Sequence, residues 1–363
     1  GPIGLVGGSG TGLQAVSVGV HTLGGGISQA IGTGGRDLSS DVGGIATRQA
    51  LQVLADDPDT RVVVLISKSP GAAVAERTLE WAAGCGKPVV VYLQDFDAPD
   101  STDGVYLAAS LSEAAALAVR LAGTVAEPET RRPSEPVAGR RDPERRSGLI
   151  RGLFAGGTLA AETLLHLQDH VGPLFSNLDG RHSRHLDDAF TSHGHTVLDL
   201  GADEFTRGRL HPMIDQESRI KRLRDEAMGR DVELILLDVV LGEGAHADPA
   251  AELAPAIEAA IDTASEAGRD LRVVVIVVGT ADDPQNLESQ IERLTAGGGA
   301  VVFTVEDAVR FAESLATEEE ATEPMLRPKR VFEPERPTAE SPSAPPPLPA
   351  NAFAPPLAAI NIG

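Results

Sequence analysis

Between a short apolar run, Ile3 to Val6, and a helical stretch opening at Leu13 lies Gly7-Gly8-Ser9-Gly10-Thr11-Gly12. Glycine has no Cβ, so its backbone can approach a ligand closely. The free N–H groups and the dipole of a helix start favour an anion at such a place. Ser9 and Thr11 add hydroxyl donors beside Gly10 and Gly12, which makes these four residues candidates for holding phosphate or a carboxylate. The run lacks the Gly-Lys-Ser/Thr ending of a Walker loop. It also lacks the acidic partner on the next strand that a dinucleotide fingerprint requires. A tight strand-to-helix turn with no ligand is the competing reading.

A second glycine nest, Gly32-Thr33-Gly34-Gly35, precedes Arg36 and Asp37. Gly32, Gly34 and Gly35 can offer backbone N–H groups, and Arg36 a bidentate fork, to the same class of anion. A surface turn in which Arg36 pairs with Asp37 or Asp41 is the alternative. Gly156-Gly157-Thr158 repeats the first pattern in shorter form, so Gly157 and Thr158 join the anion candidates.

Histidines supply the remaining chemistry. His211 stands before Pro212 in a polar loop, which holds it extended, and Asp215 follows closely. That pair suits an oriented general base, or equally a histidine capping the helix that follows. His246 and Asp248 follow the strongest apolar strand of the chain, Val232 to Val240. Ligands of open α/β sheets bind beyond the carboxyl ends of such strands. His211, Asp215 and His246 are therefore the candidate catalytic residues. His182, His185, His193 and His195 have no spacing typical of a closed zinc site and are expected to be solvated; no metal ligand is assigned.

The elements that must position these groups alternate. Residues 1–123 read as a doubly wound α/β unit: strands at Ile3 to Val6, Arg61 to Ile66, Val89 to Leu93 and Tyr106 to Ala108, with helices at Val42 to Leu54, Val74 to Ala83 and Leu111 to Leu121. The β-branched run from Arg61 to Ile66 is what a strand buried on both faces requires. Residues 124–147 alternate Pro with Glu and Arg and lose all apolar period, as a solvated linker does. Residues 148–316 repeat the first pattern, which implies a duplicated unit with a parallel sheet in each half. Residues 317–356, rich in Pro and Glu, read as a disordered tail, and 357–363 as the start of an element whose remainder is absent.

Composition narrows the partners. A formal charge of −22 over 363 residues excludes nucleic acid and anionic membrane surfaces as expected ligands. The single cysteine, Cys85, permits no disulfide within the chain, so a reducing, cytoplasmic compartment is expected. No apolar stretch is long enough to span a bilayer.

Taken together, Gly8-Ser9-Gly10-Thr11, Gly32-Thr33-Gly34-Gly35 and Asp56-Asp57-Pro58-Asp59-Thr60 resemble the ligase domain of succinyl-CoA synthetase α subunits, and the second half resembles the matching domain of the β subunit. Ala30 to Leu38, Leu65-Ile66-Ser67-Lys68, Leu210 to Asp215 and Leu236 to Gly242 resemble the FdrA family more closely. The resemblance implies two flavodoxin-like domains in tandem, without the CoA-binding domain expected before residue 1. It implies a subunit of a carbamoyltransferase acting on oxalurate, oxamate and phosphate in allantoin degradation, together with companion subunits in a hetero-oligomer. Carbamoyl phosphate and a small anionic substrate are then the ligands. An acid–thiol ligase using CoA and a nucleotide, or a structural subunit without catalysis, are the alternatives. Succinyl-CoA synthetases carry a phosphorylated histidine that has no counterpart between Leu93 and Tyr106, so the chemistry implied here needs no covalent phosphate carrier. The closing residues, 358–363, resemble the start of a partner protein, and a chain longer at both ends is expected.

Overall fold

A computed structural model describes residues 1–96, 103–123 and 148–317. The first half runs β1 (Ile3–Gly7), α1 (Gly10–Thr22), β2 (Ile27–Gly32), α2 (Ile45–Asp56), β3 (Val62–Ser67), α3 (Ala72–Ala83), β4 (Val89–Leu93), β5 (Val105–Leu107) and α4 (Leu111–Ala122). Its five strands lie in the order β2-β1-β3-β4-β5 and pair in parallel. The second half runs β6 (Leu149–Phe154), α5 (Gly157–Leu167), β7 (Leu174–Ser176), β8 (Arg184–His185), β9 (His195–Asp199), α6 (Asp203–Thr206), α7 (Glu217–Ala227), β10 (Val232–Val240), α8 (Pro249–Glu266), β11 (Arg272–Val278), α9 (Leu287–Ala296), β12 (Ala300–Val302) and α10 (Val305–Thr317). Its order is β12-β11-β10-β6-β9-β7-β8, again parallel. With β6, β9, β10, β11 and β12 in the places of β1 to β5, the second sheet repeats the first and adds β7 and β8 beyond β9. The α/β class with two parallel, doubly wound sheets is thus what the structure contains.

Strand residues alternate between two buried faces, as the period of two demands. Ile3, Leu5, Val62, Val64 and Ile66 face one cluster, while Val6, Val63 and Leu65 face another that takes in Leu51, Leu54 and Leu79 from α2 and α3. The first cluster does not stop at the edge of its own half. It passes through Leu13, Val16 and Val20 of α1 and Leu111 and Val119 of α4 to Leu159 and Leu164 of α5, Val309 of α10 and Val274 and Ile276 of β11. Helices α1, α4, α5 and α10 therefore make a shared core between the sheets. The outer face of the second sheet packs on α7, α8 and α9 through Leu223, Leu253, Ile257 and Leu294.

The stretch holding His182 to His195 is not helical. It contains β8 and the start of β9, and two of its four histidines are packed. His195 is buried and its Nδ1 accepts the Ile150 N–H at 3.2 Å. His182 Nδ1 contacts Gln168 Oε1 at 2.6 Å, and its Nε2 lies 2.7 Å from Asp95 Oδ1 without hydrogen-bond geometry. His185 and His193 are exposed, as expected. Helix α9, between β11 and β12, is an element the sequence reading passed over. The Asp56 to Thr60 motif forms a turn into β3, with the Asp57 carboxylate accepting from Thr60 Oγ1 and Gln29 Nε2. Residues 124–147 and 318–363 lie outside the described residues.

Candidate functional site

The two short glycine loops end at the carboxyl ends of β1 and β6 and open α1 and α5. Ser9 is the N-cap of α1, with its Oγ accepting the Gly12 N–H at 3.0 Å. Gly156 is the N-cap of α5 and supplies no side-chain acceptor. Neither first turn carries an acidic residue. Both helix starts thus keep free N–H groups and positive dipole ends.

The starts meet. Ser9 Oγ and Thr158 Oγ1 are hydrogen-bonded to each other, and Gln94 Nε2 donates to the Thr158 carbonyl at 2.9 Å. A Cβ on Gly156 would run into Thr11, including its Cβ at 2.8 Å, so glycine is needed for this close approach. Ser9, Thr11 and Thr158 are all buried. Two loops more than a hundred residues apart in sequence therefore form one place, with backbone donors and three hydroxyls around it.

Charged groups line its side. Lys68, just after β3, reaches to 3.6 Å from Asp199 Oδ2 at the end of β9. Both side-chain ends hang over Gly157, where an added Cβ would collide with them. Asp199 Oδ1 accepts the Gly201 N–H at 3.0 Å, and burial raises its carboxyl pKa against the opposing pull of Lys68. His211 Nε2 adjoins Gly201 beside Asp199 Oδ1. Its Nδ1 accepts the Met213 N–H at 3.3 Å, so the neutral ring carries its proton on Nε2. Burial pushes the His211 pKa down, which keeps that neutral form at ordinary pH. Beneath the loop, Asp238 of β10 is fully buried. Its Oδ1 accepts the Ala155 N–H at 2.7 Å and lies 3.2 Å from the equally buried Arg219. The pair holds the backbone just before Gly156.

Other candidates are placed differently. Gly32, Gly34 and Gly35 form a loop against the first one: Thr33 N–H donates to the Gly7 carbonyl at 2.8 Å, and Gly34 has a φ of 88°. Arg36 is exposed, and among the described residues it pairs with no carboxylate. Asp37 is occupied instead, accepting the Ala46 and Thr47 N–H groups at the start of α2. Asp215 does not face the His211 ring. Its Oδ1 accepts the Glu217 N–H at 2.9 Å, and it lines an open surface cavity of about 530 Å³ with Glu217, Lys221, Arg224 and Asp225. His246 donates its backbone N–H to the Met213 carbonyl at 2.7 Å, but its ring lies 3.3 Å from Glu252 on α8. The side chains of His211, Asp215 and His246 thus serve three separate contacts. Lys68, Asp199 and Asp238 are the site residues that sequence reasoning missed. Their one signal was position directly after, or inside, an apolar strand run.

Compared with known proteins, residues 153–315 match the family model for CoA-ligase and residues 1–94 the model for a CoA binding domain. The second match overturns the expectation that a CoA-binding domain is missing. A strand, a glycine loop and a helix open both kinds of domain, so the first motif could not separate them. The chain is 42% identical over 304 residues to the uncharacterized protein YahF of Escherichia coli (strain K12), covering 82% of this chain and 59% of that protein. It thus spans less than two thirds of that relative's length. Among solved structures it is similar to PH0766 from Pyrococcus horikoshii OT3, at 14% identity and a TM-score of 0.27, over 88% of this chain and 64% of the other. It is also similar to acetyl-coenzyme A synthetase 1 of Ca. Korarchaeum cryptofilum in complex with phosphate and ADP, at 13% identity and a TM-score of 0.29, with the same 88% and 64% shares.

Proposed function

From the premise that the chain is a member of the succinyl-CoA synthetase-like superfamily, with CoA-binding and CoA-ligase segments, we propose that it is an FdrA-type acyl-transfer subunit that works on phosphate between α1 and α5. The observation that carries this reading is the meeting of two glycine-opened helix starts beside Lys68 and a neutral His211. Their donors suit a compact anion such as phosphate, a carboxylate or carbamoyl phosphate. The first-turn N–H groups and Lys68 hold the phosphate. Asp199 keeps the lysine over Gly157, and Asp238 with Arg219 fixes the loop from below.

The finer reading is carbamoyl transfer from oxalurate. A phosphate oxygen attacks the ureido carbonyl carbon, the C–N bond breaks, and its electron pair leaves with the nitrogen of oxamate. His211 Nε2–H supplies the proton to that nitrogen, and the proton of hydrogen phosphate replaces it. Charge developing on the carbonyl oxygen is met by fixed donors rather than by water. Companion subunits complete the assembly, and Asp215 and His246 act only through the loop they steady.

The matches to CoA-binding and CoA-ligase models favour a second reading, an acid–thiol ligase in which CoA supplies the acceptor thiol and a nucleotide the phosphate. One assay separates them. The chain, co-purified with its partners, is given oxalurate and phosphate, or a carboxylic acid with CoA and ATP or GTP. Carbamoyl phosphate in the first mixture supports carbamoyl transfer. A thioester in the second alone assigns the ligase, and neither product above background rejects both.

A further inference from the structure

A second group of reactive side chains lies beyond the first turn of α5, apart from the glycine loops. Glu162 and His166 are four residues apart on α5 and so share one face of the helix. Glu306, in the first turn of α10, reaches the same point from the neighbouring helix. One ligand atom from each of the three lies within 4.8 Å of the other two. Glu162 is 1% exposed. The Nε2 of His166 is buried and has no hydrogen-bond partner. A buried ring nitrogen left without a partner needs an explanation, and a bound ion is one of the few available.

The surroundings are built rather than accidental. Glu162 Oε1 accepts the Leu111 N–H at 2.7 Å, and the Ser112 hydroxyl donates to Glu306 Oε1. Both donors come from the start of α4, in the first half of the chain. Such outer contacts are what orient carboxylates that ligate metals. The two carboxyl groups crowd each other at one point, where their like charges repel. A cation between them removes that conflict.

We propose that Glu162, His166 and Glu306 form a binding site for a divalent cation of the zinc class. One nitrogen and two carboxylate ligands suit a borderline ion better than calcium or magnesium, and three protein ligands leave a position open. Because the ligands sit on α5 and α10 while their supporting donors sit on α4, the ion ties the two halves together. The proposal does not depend on the phosphate reading, since no residue is shared.

The test uses the full chain, stripped with a chelator and dialysed against Zn²⁺ alone and, in parallel, Co²⁺ alone. The expected result is one tightly held ion per chain, a raised Tm, and cobalt absorption typical of nitrogen and oxygen ligands. His166→Ala should weaken binding by about tenfold or more, as loss of a ligand or its support does, and Glu306→Gln should do likewise. His185→Ala, at an exposed histidine paired with Asp179, should bind as the parent does. If His166→Ala fails to fold by circular dichroism, Glu306→Gln carries the comparison. No stoichiometric ion in the parent overturns the site, as does unchanged binding in the folded variants.

Discussion

Ser9, Thr11 and Thr158 were legible as anion candidates because hydroxyls stood among glycines at helix starts. Lys68 and Asp199 were not, because a lone lysine and a lone aspartate acquire meaning only when β3 and β9 bring them together. The histidines show the same limit: His195 looks polar in sequence, yet a parallel strand buries it. Burial first, and then the Arg151 charge, lowers its pKa. A histidine depressed in the fold is protonated more readily in the unfolded chain, so it contributes stability above the unfolded value of about 6.5. That contribution is lost as pH falls through the lower folded value. His195→Asn keeps an acceptor for the Ile150 N–H but cannot titrate. Denaturant melts between pH 7 and pH 5 should show a shallower loss of stability in the variant than in the parent; equal slopes would mean His195 is not buried neutral. Glycines divide similarly. Nothing lies within 4 Å of a Cβ added at Gly10, whereas one at Gly156 collides with Thr11. Gly10→Ala should leave Tm almost unchanged, and Gly156→Ala should cost roughly 1–3 kcal/mol or more by overpacking. Similar melting of the two variants would contradict the close approach of the helix starts.

Elements with a clear apolar period were the readable ones: β3, β4 and β10 sit where their sequence puts them, to within a residue or two. Which side a polar helix buries was not legible. Helix α7 carries Arg219 and Arg222 inward, which no apolar pattern announces. There Glu226 accepts from Arg151 Nε at 2.6 Å and from Arg222 Nε at 2.8 Å, and its pKa falls despite burial because Ser192, Arg151 and Arg222 hold the carboxylate charged. The network joins β6, α7 and the loop before β9. Removing one member of a buried charge group leaves the rest unpaired, at about 3–5 kcal/mol. Glu226→Ala should therefore shift the urea midpoint by that order, and Lys221→Ala, at an exposed pair with Asp225, by well under about 1 kcal/mol. Equal small shifts would show the network to be dispensable.

At the scale of the molecule, the repeated strand order was visible as a repeated sequence pattern, but the joining of the halves was not. That joining is made by α1, α4, α5 and α10, whose contacts are far apart in the chain. Among the described residues no helix is long and apolar enough to cross a membrane. Because one core spans both halves, cleavage anywhere between residues 124 and 147 should leave the two fragments co-migrating on a sizing column; immediate separation would contradict a shared core. The central claim, that the meeting of α1 and α5 makes a phosphate seat, is tested most directly by titrating phosphate into the full chain by calorimetry, with Lys68→Met and His185→Ala beside the parent. A charge-assisted contact contributes about 1.5–3 kcal/mol, so Lys68→Met should weaken phosphate binding by roughly tenfold to a hundredfold while His185→Ala binds as the parent does. A parent that takes up no phosphate, or a Lys68→Met variant that binds it equally well, would contradict the account.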